Sequence, residues 1–456
     1  MWHCAIPRWK KSKKWTVFIL EVLEALPDDL LGPVSRFHPG APAKYPYLDK
    51  ISCYIINMSV MISSKNGVVL DHEAWILKMY KDNLTSNVEK SEKGVEIFQQ
   101  LFDLRTPFLM DGQAEKFAKE MECMKSSSEP QKKKKKITSI SPLVSDESLV
   151  QKHKRFEEIS HIMEVLTVLQ IMPEFKKFFC YFPSAEDFRS NNRPVRDARK
   201  RFMEASDVQL PVPNKGSTGH KQQTLILEDN EYILPPNAEY ICDDVRNILS
   251  HTSKNKYDLI VMDPPWWNKY IRRRRSASRS DDGYAMLSVA DILRIPLKEL
   301  LTEGGLLVVW CTNNDTQIKE LREGLHKWDV DLIATWFWLK LTRGGEPVTP
   351  LCMQAHGKLP YERILLARKR GLNGCCRNLH DGRVICSVPS GLHSHKPPLT
   401  EILKDYITPR ARCMEIFARY LTPGWTSYGL EVLKLQHSFL FYELSPRIPC
   451  QDSVKL

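Results

Sequence analysis

The sequence predicts an α/β protein. A doubly wound, mainly parallel sheet fills the C-terminal half, behind a mostly helical and partly disordered N-terminal region. Beyond about residue 220, short continuous apolar runs alternate with helical segments. Strands buried on both faces read that way, without polar alternation. The N-terminal half lacks the alternation and carries two polar stretches rich in lysine or proline.

Residues 1–60 are weakly patterned. Trp15–Leu26 comes nearest to a long apolar segment, but Glu21 and Glu24 interrupt it. It falls short of the roughly 18 residues that mark a membrane span. An amphipathic surface helix suits it, and Lys10–Lys14 ahead of it adds a faint presequence character. Ser126–Pro130 and Lys132–Lys136 form a charged linker that cannot bury enough surface to fold alone. A five-lysine block suits a nuclear address or a phosphate-contacting arm, as well as a solvated linker. Phe156, Ile159, Met163, Leu166 and Leu169 recur at helical spacing and predict one amphipathic helix, limited by Pro173. Polar residues return over Asn191–Gly219, with Pro194, Pro211 and Pro213, and the main boundary is placed there. The predicted organisation is an accessory region over 1–125, a linker over 126–148, a helical segment and second linker over 149–219, the α/β domain over 220–445 and a tail over 446–456.

Within that domain, strands are predicted at Tyr257–Met262, Gly305–Trp310, Leu332–Trp338, Ile364–Ala367, Val384–Val388 and Cys413–Phe417. Helices are predicted at Val289–Leu301, Gln317–Trp328 and Leu399–Tyr406. The formal charge of +11 over 456 residues suits a polyanionic partner. The twelve cysteines include no CxxC pair, so they read as buried thiols in a reducing compartment rather than metal ligands.

The most informative residues are Asp263-Pro264-Pro265-Trp266, directly after the run Tyr257–Met262. Asp263 therefore stands at the carboxyl end of a strand, where open α/β sheets bind ligands. Two prolines remove two backbone donors and stiffen the loop. Their carbonyls are expected to be free of competing local amides. A carboxylate and a proline carbonyl can together orient a planar exocyclic amine. The Trp266 ring would offer a stacking face, worth about 1–3 kcal/mol per base. Such a site works by positioning and matched electrostatics.

Asp-Pro-Pro-Trp after an apolar strand resembles the adenine-N6 methyltransferase family typified by the catalytic subunit of the messenger-RNA methyladenosine writer. The resemblance runs from about Tyr240 to His437. It includes Cys242–Arg246, Leu307–Asn313, Trp336–Lys340, His393–Pro398, Glu415–Arg419 and Pro423–Ser427. The Leu-His-Ser-His-Lys-Pro-Pro-Leu and Phe-Ala-Arg…Pro-Gly-Trp-Thr-Ser runs are similar to the branch called methyltransferase-like protein four.

The resemblance implies a Rossmann-like class I methyltransferase fold in permuted order, with S-adenosylmethionine as cofactor. The implied target is the N6 amine of adenine in RNA or DNA. For RNA this is a small nuclear RNA adenosine whose ribose is already 2′-O-methylated. The base must be single-stranded or flipped out, because its amine lies in the pairing edge. Asp263, Pro264, Pro265 and Trp266 carry the implied catalysis, and Asp263 also faces the cofactor's ammonium. Lys396 pairs with the cofactor carboxylate. Asp244 and Val245 touch its base, Phe417 and Arg419 line the ribose and adenine, and Glu431 accepts the ribose hydroxyls. The substrate side consists of Trp266, Arg272, Arg273, Arg274, Arg275, Tyr284, Trp338 and Lys340, with His356 and Glu362 as further candidates. No metal and no membrane is implied. A protein partner is not indicated, and the nucleus is favoured over the cytosol or mitochondrion. One departure stands out: Leu430 replaces an asparagine that the family uses to hold the ribose. Two other readings remain, a non-catalytic scaffold that binds RNA and a methyltransferase acting on a protein amide.

Overall fold

The computed structural model describes residues 59–80, 95–97, 99–108, 146–179, 192–205, 210–252, 255–267, 286–351, 359–371 and 379–443. Trp15–Leu26, Lys132–Lys136, Arg272–Arg275, Tyr284, His356 and the tail lie outside the described residues.

The predicted strands form, most of them longer than their apolar cores. They are β8 (Tyr257–Met262), β9 (Leu301–Cys311), β10 (Val330–Lys340), β11 (Tyr361–Lys369), β12 (Val384–Ser387) and β13 (Cys413–Ile416). Others precede and follow them: β1 (Val60–Ser63), β2 (Gly67–Leu70), β4 (Asn214–Ser217), β7 (Glu239–Cys242) and β14 (Trp425–Tyr428). These eleven make one sheet in the order β1-β2-β12-β10-β11-β9-β8-β13-β14-β7-β4. β3 (Val95–Ile97) pairs with β15 (Phe441–Glu443), and β5 (Gln223–Leu227) with β6 (Asn230–Leu234), as separate ribbons.

The neighbours β9-β8-β13-β14-β7 are mutually parallel, while β11 runs against β9 and β10. This mostly parallel sheet with helices is the Rossmann-like α/β arrangement. Four helices of eight residues or more are described: α1 (His72–Met79), α2 (Asp146–Ile171), α3 (Arg193–Ala205) and α4 (Asp315–Gly324). The predicted helix Val289–Leu301 is instead two single turns, Val289–Ile292 and Leu297–Leu300, separated at Pro296.

β8 shows why the apolar runs become central strands. Leu259, Ile260, Val261 and Met262 are all buried, and they feed the cores on both faces. Its one charged residue, Asp258, accepts hydrogen bonds from the Arg412 amide at 2.9 Å and the Thr302 hydroxyl at 2.9 Å. A partly buried carboxylate is thereby satisfied.

Two further expectations change. The predicted helix does end before Pro173, but Phe156 and Met163 are about half exposed, and Ile162 and Val165 join Ile159, Leu166 and Leu169 in the core. The buried stripe is rotated by part of a turn. More consequentially, described strands from the predicted accessory region over 1–125 are continuous with the main sheet. β2 pairs in parallel with β12, Gly67 opposite Val384, so the N-terminal strands extend the main sheet. A Cβ on Gly67 would lie 2.9 Å from Val165 Cγ1, which shows how closely α2 crosses β2. α2 also places Glu158 2.6 Å from Arg363 of β11, whose guanidinium reaches Asp315 at 3.1 Å. The described residues from 59 to 443 form one compact unit.

Leu70 of β2 is 3% exposed and packs in the same core as Leu259 and Trp336. Leu70→Ala is expected to cost about 2–5 kcal/mol. In urea unfolding the loss should appear as one transition shared with the β8–β13 region. A second, separate transition would show that the N-terminal strands fold on their own.

Candidate active site

The carboxyl ends of β8, β13, β14 and β7 line up along one edge. Asp263 follows β8, Phe417 and Arg419 follow β13, Glu431 follows β14, and Asp244 and Val245 follow β7. The chain leaves β8 toward β9 and β13 toward β14, so the strand order diverges between β8 and β13. Open α/β sheets hold their ligands at such a point.

Asp263, Lys396, Glu362 and Lys340 converge there. Lys396 Nζ is 3.7 Å from Asp263 Oδ1 and directly hydrogen-bonds Glu362. The other Glu362 oxygen accepts from Lys340 Nζ at 2.5 Å. Lys396 also lies over the rings of Trp310 (5.2 Å) and Trp338 (5.7 Å), and Lys340 over Trp338 (4.6 Å). Burial raises the Asp263 carboxyl above the usual range, against the attraction of Lys396 and Arg419. Burial acts the same way on Glu362, but Lys396 and Lys340 outweigh it and hold the group at about 2. Lys396 is held above its ordinary value, because Asp263 and Glu362 outweigh the opposing effect of burial. Two acids and two bases thus alternate in one recess.

The Asp-Pro-Pro-Trp loop departs from expectation in two ways. Trp266 is 9% exposed, its indole packs in the core, and its Nε1 donates to the Trp310 carbonyl at 2.9 Å. Its ring anchors the loop and presents no open stacking face. The proline carbonyls are also engaged. Pro264 O accepts from the Trp266 amide and Pro265 O from the Leu287 amide, each at 2.8 Å. Each oxygen keeps a second lone pair. Trp338 is likewise buried, its Nε1 donating to Ser387 Oγ at 2.9 Å. It supports the two lysines rather than facing out.

On the adjoining strand ends, Phe417 takes a positive φ of 63°. A Cβ on Gly429 would stand 3.1 Å from Phe417 Cα, so glycine permits the close passage of those two turns. Glu431 accepts from Arg419 Nε at 2.8 Å and Lys434 Nζ at 2.6 Å. Asp244 caps the turn after β7, accepting from the Arg246 amide and guanidinium, and its carbonyl accepts from the Tyr428 hydroxyl at 2.7 Å. Leu430 presents no polar side chain beside Glu431; its carbonyl accepts from Cys242 Sγ at 3.5 Å.

This donor set fits S-adenosylmethionine. An anion and a cation 3.7 Å apart match the two charges of an amino-acid head group. Glu431 offers acceptors for a diol two strands away, and Asp244 and Val245 lie beyond it. Sequence reasoning gave Glu362 only minor weight, and it missed Trp310 and Glu415. Glu362 lies 34 positions before Lys396 on a strand of opposite direction, so no local pattern exposes their pairing.

Residues 257–431 match the model of the MT-A70 family. Over 248 residues it is 38% identical to N(6)-adenine-specific methyltransferase METTL4 of Mus musculus, covering 52% of this chain and 50% of that protein. It is 34% identical over 221 residues to a DNA N6-methyl methyltransferase of Caenorhabditis elegans, covering 47% and 58%. It is 35% identical over 217 residues to N6-methyladenosine RNA methyltransferase MTA1 of Pyricularia oryzae, covering 45% and 55%. The chain therefore spans about half the length of the curated relatives it matches.

Glu415 on β13 sits beside this cluster. Burial, and then the charge of Asp263, push its carboxyl from an ordinary 4.5 up to about 8. A carboxyl raised on folding lends stability that is full below pH 4.5 and is lost as the pH rises through 8. The urea midpoint should fall between pH 5 and pH 8, and Glu415→Gln should flatten that fall. Equal pH dependence in the two proteins would count against a protonated Glu415.

Proposed function

We propose, from the match of residues 257–431 to the MT-A70 family, that the chain is an S-adenosylmethionine-dependent methyltransferase acting on the N6 amine of adenine in RNA or DNA. The observation that carries the reading is Asp263 at the divergent sheet edge, 3.7 Å from Lys396 and ahead of a doubly proline-stiffened loop. The relatives' names, which span RNA and DNA, support the substrate class.

The cofactor, when bound, supplies an electrophilic methyl group on a sulfonium. The protein's share is placement. Lys396 holds a carboxylate and Asp263 an ammonium, which fixes the head group. Asp263 and the second lone pair of Pro264 O accept the two amine hydrogens of the base and aim the nitrogen lone pair. The nitrogen sheds one proton along its hydrogen bond toward Asp263, whose basicity burial has increased. The gain comes from fixed geometry and preorganised charge. A small nuclear RNA adenosine with a 2′-O-methylated ribose, or a DNA adenine, is the proposed target.

Purified protein incubated with tritiated S-adenosylmethionine should label single-stranded RNA or DNA containing adenosine. It should not label the same oligonucleotide with purine riboside, or its deoxy counterpart, at that position. Asp263→Ala should lower labelling by at least about 100-fold and leave oligonucleotide binding unchanged. Persistent labelling would refute the assigned mechanism. Leu430 favours the scaffold reading to one extent: absent labelling together with absent cofactor binding would establish it.

The rate should fall as pH drops through the raised Asp263 value. Lys396→Met removes the nearest cation, so it should move that acid limb upward. Single-turnover rates from pH 4 to 8 report this, and an unmoved limb would exclude Asp263 as the titrating group.

A further inference from the structure

A basic helix packs against the stretch of chain that leads to this site. α3 buries Val195, Ala198 and Phe202. Its exposed surface carries Arg193, Arg196, Arg199, Lys200 and Arg201 against two acids. Those acids pair within the helix, Asp197 with Arg193 at 3.6 Å and Glu204 with Lys200 at 3.8 Å. Arg196 and Arg199 fall at i, i+3 spacing on one flank of the buried stripe.

The helix is fixed in place. At its start, Asn192 Oδ1 accepts from the Arg105 and Thr106 amides at 3.0 and 3.2 Å. In its first turn, a Cβ on Gly391 would lie 2.5 Å from Val195 Cγ1, so α3 sits flush on the chain five residues ahead of Lys396. His393, between them, reaches solvent. Crowding by the protein and then the charges of Arg419, Lys396 and Arg199 hold its imidazole below the ordinary value. One histidine therefore senses cations of the site and of α3 together.

We propose that the Arg196–Arg199 flank of α3 binds the phosphodiester backbone of a single nucleic-acid strand beside the base held at Asp263. The inference rests on the nucleic-acid reading above. A strand that gives up one base to a recessed edge leaves its neighbouring phosphates at the rim. Guanidinium groups match phosphate geometry, and a rigid helix sets the register of the strand. The contact carries no base information. It orients any strand of suitable length.

The test is fluorescence anisotropy with labelled single-stranded RNA and DNA oligonucleotides across a salt series. Arg196→Glu/Arg199→Glu should weaken binding about tenfold or more at moderate salt, and should flatten the log–log salt slope by about 1 to 1.5. Lys298→Glu/Lys327→Glu makes the same charge change just before β9 and β10, at the opposite end of the sheet. It should leave binding within about twofold of native. S-adenosylmethionine affinity should be the same in all three proteins, which also checks that they fold. Native-like binding by the α3 variant would overturn the surface while leaving the methyltransferase reading intact. Equal losses in both variants, or displacement by polyglutamate as readily as by oligonucleotide, would overturn it in favour of bulk charge. If native protein binds neither oligonucleotide, the nucleic-acid reading itself fails, and the proposal with it.

Discussion

Asp263, Lys396, Glu362 and Lys340 share a recess where each side chain is no more than 24% exposed. Charges taken from water are costly unless partnered, and removing one partner strands the other. The four alternate in sign, and the faces of Trp310 and Trp338 lie under the two lysines. The direction of β11 makes this possible. In a wholly parallel sheet only strand ends reach this edge. β11 runs the other way, so it delivers Glu362 from its second residue.

The elements that secure the cluster come from far away in the chain. Lys396 has no regular structure of its own; it lies between β12 and the turn Thr400–Leu403. α1 braces that stretch, with Trp75 Nε1 donating to Thr400 Oγ1 at 3.0 Å and Lys78 pairing with Glu401 at 2.8 Å. His72 meets His395 edge to face, with ring centroids 4.7 Å apart. Glu362 is steadied through its neighbour Arg363, which Glu158 of α2 holds by three hydrogen bonds. Described elements of the N-terminal half thus support both members of the Lys396–Glu362 pair.

Much of this was legible in the sequence, and the limits were physical. β8 to β13 announced themselves because strands buried on both faces are continuous apolar runs. Asp263 and Lys396 stood in motifs long enough to recognise. β2 was invisible because Gly-Val-Val-Leu is too short to carry a period, and only its partner β12 makes it a strand. The burial of Trp266 was not legible, because an aromatic beside a functional loop looks the same in sequence whether it faces a ligand or the core. α3 was taken for part of a linker, since its apolar stripe is three residues wide and its composition is mostly charge.

The pairing of β2 with β12 also bears on how the protein is made. Gly67 and Val384 are register partners more than 300 residues apart. During synthesis at roughly 5–20 residues per second, β1 and β2 leave the ribosome tens of seconds before their edge partner exists. Through that interval an apolar hairpin has an open edge, the state most prone to mispairing with another chain. Only when residue 387 has emerged can that edge take its native partner.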